Sequence, residues 1–286
     1  MLAALVAAAS SSVQAQPQRL LVITTSADLK SLVEAVGGDR VEVESLGQPE
    51  QDPHSIEVKP AQLVRVRQAA MLVKVGLDHE PWLARLPAVS APVVDASKGV
   101  PLLHTETPRL RTERRAHTHA YGNTHYWLDP KNAWPITDSI LAALADLSPA
   151  DRATFEARRE AFLSRLEERL SAWSATLAPW RGARIIVVHD SWSYFAERFA
   201  MKIVAAAEPN PGVPPSPREL AALLDRLRGS DVRVLIADPH SDPSLVRQIA
   251  DKAGIKPVTL LPSGRDYVAL FEENVQLLSQ ALKSGQ

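Results

Sequence analysis

The chain has 286 residues, of which 45% are hydrophobic, 32 are basic and 33 are acidic, giving a formal net charge of −1. This length favours two domains with ordinary buried cores over one very large domain. A nearly neutral chain lacks the surplus positive charge that attracts nucleic acid or anionic lipid, so we expect neither as a partner.

The first residues are typical of a secretory signal peptide. Residues 1–9 form a short apolar run, and Val13 and Ala15 precede a cleavage site before Gln16. The run is shorter than the ~20 apolar residues of a membrane-spanning helix. No Lys or Arg precedes it, so we expect a signal peptide at residues 1–15 whose true start is missing, and export to the periplasm. The alternative is a frayed apolar terminus.

Cysteine is absent from the sequence. We therefore expect no disulfides, no thiolate metal ligands and no lipid-attachment Cys. Any metal ion would have to be held by His and carboxylate side chains. We expect the mature chain to be soluble, without a membrane anchor, and monomeric.

Strand-like runs alternate with helical stretches in both halves of the chain, which predicts parallel sheets flanked by helices. The fold class is therefore predicted as α/β with two lobes, residues 16–147 and residues 181–286. The predicted strands are Leu20–Thr25, Val41–Leu46, Met71–Gly76, Val93–Ala96, Arg184–Val188, Ile203–Ala207, Val232–Ala237 and Pro257–Leu261.

One long amphipathic helix is predicted between the lobes, over residues 148–180. Ser148 supplies an N-cap hydroxyl, Pro149 occupies a position that tolerates a missing N–H, and Pro179 ends the helix. A helix of this length is ~45 Å long, which would join both lobes and limit their relative motion. The alternative is a peripheral helix of one lobe. Its apolar stripe is Phe155, Phe162, Leu166, Leu170, Trp173 and Leu177.

Two polar residues directly follow predicted strands of the second lobe. His189 follows Arg184–Val188, and Asp238 follows Val232–Ala237. Ligands of open parallel sheets bind beyond the carboxyl ends of the strands, so these side chains are expected to be neighbours in a crevice. The sequence has eight His: His54, His79, His104, His117, His119, His125, His189 and His240.

Four segments carry a family resemblance. Residues 51–60 (QDPHSIEVKP), 123–130 (NTHYWLDP), 189–195 (HDSWSYF) and 208–217 (EPNPGVPPSP) occur in this order. They resemble segments of the zinc/manganese family of ABC solute-binding proteins, whose fold is two α/β lobes joined by one long helix. The resemblance implies capture of a divalent transition metal ion and its delivery to the membrane permease of an ABC importer.

The resemblance implies three metal ligands, His54, His125 and His189. Three neutral imidazoles leave one position of a tetrahedral Zn²⁺ site open. Relatives that resemble manganese carriers commonly have a carboxylate at the third position, so His189 favours Zn²⁺ over Mn²⁺ or Fe²⁺, although imidazole also accepts Cu, Ni and Fe.

The fourth ligand is where the chain departs from the family. Many relatives have an Asp just after the last strand, but residues 259–264 contain no carboxylate. We predict Asp238 in its place, with His240, Asp242, Asp266 or a water molecule as alternatives. Residues 238–240 could instead form an Asx-type turn that ends the strand.

His117 and His119 could form an accessory metal site or, with His104, belong to a solvated loop.

Two other functions of the protein remain open on the sequence. A metallohydrolase would need a general base near the ion, for which the pair His189-Asp190 and Glu208 are candidates. An adhesion or scaffold protein could use the same fold without turnover or transport.

Overall fold

A computed structural model describes residues 19–86, 88–103, 122–208 and 212–284. The predicted signal peptide and the residues His104, His117 and His119 lie outside these ranges. Within them, eight strands form two separate four-stranded sheets, and every strand pair is parallel.

Both sheets have the same strand arrangement. The first has the order β2-β1-β3-β4 and the second the order β6-β5-β7-β8. In each sheet the first strand in sequence is internal, the second forms one edge, and the third and fourth lie on the other side of the first. Each predicted strand is found to within two residues, which confirms the α/β prediction. The strands are β1 (Leu20–Thr24), β2 (Val41–Ser45), β3 (Met71–Lys74), β4 (Val93–Asp95), β5 (Arg184–Val187), β6 (Lys202–Ala206), β7 (Val232–Ala237) and β8 (Lys256–Thr259).

Helices connect the strands and flank the sheets. Their starts follow ordinary capping chemistry: the Ser26 side chain accepts a hydrogen bond from the Leu29 amide at 3.2 Å, and Ser216 and Glu219 form a reciprocal capping box. The helices are α1 (Ala27–Gly37), α2 (Pro60–Gln68), α3 (Ala133–Leu147), α4 (Arg152–Leu177), α5 (Ser193–Arg198), α6 (Pro217–Leu227), α7 (Pro243–Ala253) and α8 (Tyr267–Ser284).

The predicted long helix is present as α4, with one 3₁₀ turn at each end, Pro149–Asp151 and Ala178–Trp180. The Ser148 hydroxyl donates to the Asp151 carboxylate at 2.7 Å instead of capping a backbone amide. The predicted apolar stripe faces the core, since all six of its side chains are buried together with Leu163.

The two sheets share one hydrophobic core. Val22 and Val73 of the first sheet and Ile185 and Ile236 of the second belong to the same buried cluster, and Leu166 of α4 lies in it as well. Any rearrangement of the sheets would have to disrupt this packing. In the described part of the chain, no helix combines the length and apolar character needed to cross a membrane.

Candidate metal centre

Four histidines come together at the carboxyl ends of the strands. His54 lies in the loop after β2, and His79 lies in the loop after β3. His125 precedes the single turn Tyr126–Leu128, and His189 follows β5 after one residue. The first three come from the N-terminal half of the chain and the fourth from the C-terminal half. This is the crevice that the parallel topology predicts as a binding site.

The four rings are in close mutual contact. Ring centroids are 4.3 Å apart for His54 and His79, 5.0 Å for His79 and His125, and 5.3 Å for His54 and His125. One ligand atom from each of these three residues lies within 4.8 Å of the others. The ring of His189 is 5.6 Å from that of His54 and 5.3 Å from that of His125. His54, His79 and His125 are thus close enough to share one ion, whereas His189 lies beside this group and is not part of the set whose ligand atoms are all within 4.8 Å of one another.

Hydrogen bonds set the tautomers of His54 and His125. Nδ1 of His54 is 3.0 Å from the backbone oxygen of His79, and Nδ1 of His125 is 3.1 Å from Oδ1 of Asn123. The Asn123 amide is oriented by its own Nδ2, which donates to the backbone oxygen of Asp190 at 2.7 Å. Both acceptors are oxygens without a proton, so Nδ1 carries the hydrogen and the neutral ring presents the lone pair of Nε2.

The other two rings are held in the same way. Nδ1 of His79 is 2.8 Å from the Thr124 hydroxyl, and Nδ1 of His189 is 3.2 Å from Oε2 of Glu208. A ring nitrogen held by a protein oxygen while the other binds the ion is the usual arrangement around metal-bound histidine. For His54, His125 and His189, whose Nδ1 meets an oxygen without a proton, Nε2 is therefore the nitrogen that could bind an ion; the Thr124 hydroxyl can donate or accept, so it does not fix the tautomer of His79.

Negative charge surrounds His189. Burial acts to lower the pKa of His189, but the hydrogen bond to Glu208 and the charges of Asp238 and Asp190 outweigh it, so the pKa lies above its usual value. Burial raises the pKa of Asp238, against the opposing charges of His189 and His240. The same carboxylates would attract a divalent cation to this side of the crevice.

Asp238, the predicted fourth ligand, lies at the end of β7 with 3% of its surface exposed. Its carboxylate accepts hydrogen bonds from the Trp192 indole at 2.8 Å and the Ser191 hydroxyl at 3.0 Å, and it is 3.9 Å from Nε2 of His240. Both oxygens are thus used to hold the segment that follows His189. Its role as a ligand stays a prediction.

The alternative fourth ligands are differently placed. Asp242 accepts from the Ser244 amide at 2.8 Å at the start of α7. Asp266 accepts from the amides of Val268 and Ala269 at 2.9 Å at the start of α8. Both carboxylates therefore serve as helix caps. The ring of His240 is 6.4 Å from that of His189.

Sequence reasoning did not select His79. The rule that selected His189 and Asp238 applies to residues that directly follow a predicted strand, and His79 is separated from the end of β3 by residues 75–78. What hid it is the backbone path: Gly76, Leu77 and Asp78 all have positive φ, at 84°, 55° and 56°. Leu and Asp rarely adopt that conformation, so the turn could not be read from the sequence.

Comparisons with known proteins agree with this architecture. Residues 22–281 match the family model described as zinc-uptake complex component A, periplasmic. The chain is 23% identical over 282 residues to the zinc-binding lipoprotein AdcA of Streptococcus pneumoniae, covering 92% of this chain and 56% of AdcA. It is 26% identical over 162 residues to the high-affinity zinc uptake system protein ZnuA of Brucella abortus, covering 56% of this chain and 48% of that protein.

The chain therefore spans about half the length of these two curated relatives. A crystal structure of ZnuA has the same fold, with a TM-score of 0.81 and 26% identity. The match covers 93% of this chain and 100% of the ZnuA chain.

Proposed function

Since the chain belongs to the family of periplasmic zinc-uptake complex component A proteins, we propose that it captures Zn²⁺ in the periplasm and delivers it to the permease of an ABC importer. One observation carries the proposal: the rings of His54, His125 and His189, from three separate loops, lie with their centroids within 5.6 Å of one another.

The ligand set supports Zn²⁺ as the cargo. Three neutral imidazoles suit Zn²⁺ at ~2.0–2.1 Å, and because the pKa of His189 lies above its usual value, binding of the ion displaces the proton from the protonated fraction of this ring. Mn²⁺ and Fe²⁺ are less favoured cargoes, Mn²⁺ because it prefers oxygen ligands. The ion is bound and released unchanged, so affinity is set by how well the loops place the rings in advance.

The shared core bears on how the ion is released. Because both sheets and α4 contribute to one buried cluster, release on the permease requires displacement of the ligand loops and only a small shift of the lobes.

We propose a signal peptide at residues 1–15, an N-terminal lobe at 16–147, a linking helix at 148–180 and a C-terminal lobe at 181–286. The protein acts as a soluble monomer in this proposal.

The positions of the two candidate bases, Glu208 and Asp190, do not support a hydrolase function. Oε2 of Glu208 is engaged by Nδ1 of His189 and by the Gly212 amide at 3.1 Å, so it supports a ring and does not face a metal-bound water. The Asp190 carboxylate accepts from the Ser193 hydroxyl at 2.8 Å. Membership of a metal-uptake family also argues for binding without turnover, and no observation favours a scaffold role.

Calorimetric titration of the metal-stripped chain with Zn²⁺ tests the proposal. We expect one ion per chain, and strong loss of affinity in His54→Ala, His125→Ala and His189→Ala. Glu197→Gln, an exposed substitution on α5, is the control and should bind like the parent. Binding that survives all three His substitutions, or no binding by the parent chain, would contradict the proposal.

A further inference from the structure

His79 is a fully buried imidazole, with 0% of its surface exposed, among the rings of the proposed zinc site. We propose that His79 is the fourth ligand, so that four imidazoles hold Zn²⁺ and the shell disfavours Mn²⁺. This inference rests on the proposed function and assigns a residue that the family resemblance did not.

The position of the ring supports this assignment. The centroid of His79 is 4.3 Å from that of His54 and 5.0 Å from that of His125, closer to each than His189 is. Residue 79 contacts the site through its backbone as well as its ring, because its backbone oxygen accepts a hydrogen bond from Nδ1 of His54. The Thr124 hydroxyl, next to His125 in sequence, holds Nδ1 of His79. His79, His54 and His125 are therefore placed as one unit.

The loop that carries His79 is held in a costly conformation. Leu77 and Asp78 have positive φ, a left-handed conformation that is unfavourable for L-residues. The carboxylate of Glu80 stabilises this turn from inside the protein: it accepts from the Val75 amide at 2.6 Å and the Gly76 amide at 3.0 Å, and its surface is 6% exposed. Strain held in place by buried hydrogen bonds is concentrated at functional sites. Here it fixes the residue that ends the turn, His79.

Asp238 has a different role in this arrangement. Its oxygens accept from Trp192 and Ser191, and it lies beside His189 as a negative charge outside the shell. Four neutral nitrogen ligands complete a tetrahedral Zn²⁺ site without any oxygen donor. Mn²⁺ prefers carboxylate, carbonyl and water ligands, so the same shell disfavours it. His79 thus strengthens the preference for Zn²⁺ that the other three imidazoles already give.

X-ray absorption at the zinc edge tests the ligand count in the zinc-loaded full chain. The parent should show four imidazole nitrogens at ~2.0–2.1 Å. His79→Asn is the informative variant, because the Asn amide can still bond the Thr124 hydroxyl but lacks an atom at the position of Nε2. It should show three imidazoles, and its Zn²⁺ affinity should fall by more than the ~10–100-fold that loss of a supporting group causes. His79→Asp, which offers an oxygen donor, should lower the ratio of Zn²⁺ to Mn²⁺ affinity.

Two further variants separate the possible outcomes. Asp238→Asn should retain four imidazoles and lose no more than the ~10–100-fold of a supporting group. His240→Asn, the matched control, removes an imidazole beside the cluster and should cost less than His79→Asn. A parent spectrum with three imidazoles and one oxygen overturns the assignment of His79, even if His79→Asn fails to fold, and leaves the proposed function standing. A parent chain that does not bind Zn²⁺ overturns the proposed function itself.

Discussion

The carboxylate of Asp28, in the first turn of α1, accepts a hydrogen bond of 2.6 Å from the hydroxyl of Ser263, a residue 235 positions later in the chain. The Gly264 amide donates to the other oxygen of Asp28 at 3.0 Å. Asp28 is completely buried. These bonds join a helix of the first lobe to the loop that follows β8 in the second lobe.

Asp28 should make stability depend on pH. Burial raises the pKa of Asp28 to about 7, although the bonds from Ser263 and Gly264 act to lower it. In the unfolded chain the group has its ordinary pKa, so between about pH 4 and pH 7 the folded state holds a proton that the unfolded state has lost. The free energy of unfolding therefore falls as pH rises through this window, by up to about 4 kcal/mol.

Asp28→Asn should remove this contribution, because the amide is neutral at every pH. Urea unfolding at pH 5 and pH 7.5 measures the effect: the parent should lose more stability than the variant between the two values. Asp225→Asn, at a side chain that is 67% exposed, should retain the pH dependence of the parent. Parallel profiles for the parent and Asp28→Asn would contradict the prediction.

Glu208 should contribute to zinc affinity without contacting the ion. Its Oε2 is 3.2 Å from Nδ1 of His189, so it favours the tautomer that presents Nε2 and makes the ring a stronger donor. In Glu208→Gln the shape is kept and the negative charge is lost, and Zn²⁺ affinity should fall by ~10–100-fold. Competition against a zinc chelator would measure the change, with Glu197→Gln as the exposed control. Affinity equal to that of the parent would show that the charge is unimportant.

Trp127 joins the segment that carries His125 to the second lobe. Its indole donates to the backbone oxygen of Pro262 at 2.9 Å, and its own backbone oxygen accepts from the Tyr267 hydroxyl at 2.6 Å. Trp127→Phe would leave the Pro262 oxygen without this donor and would reduce packing. We expect a loss of ~1–3 kcal/mol in the free energy of unfolding, measured by urea titration. The control is Trp134→Phe on α3, a partly buried residue; an equal loss there would mean that packing alone is responsible.

Much of the fold could be predicted from the sequence because buried parallel strands read as apolar runs. The strand-end rule placed His189 at the crevice for the same reason, since it depends only on where a strand stops. The contacts of Asp238 could not be predicted, because its hydrogen bonds to Ser191 and Trp192 depend on how the segment after β5 folds back. His79 was missed because Leu77 and Asp78 adopt a conformation that their side chains disfavour, stabilised by the buried Glu80.

Zinc should protect the folded chain from heat at pH 7.5 and much less at pH 5. An ion that binds only the folded state raises the free energy of unfolding, by ~2.7 kcal/mol at a free concentration 100 times Kd. Protons compete with Zn²⁺ for Nε2 of His54, His125 and His189, and free imidazole takes up a proton near pH ~6.5. The rise in Tm on adding Zn²⁺ should therefore shrink as pH falls through this range. Mg²⁺, which prefers oxygen ligands, is the matched control ion and should have little effect at either pH. An equal Tm rise at pH 7.5 and pH 5 would mean that the ion is held by groups other than these imidazoles.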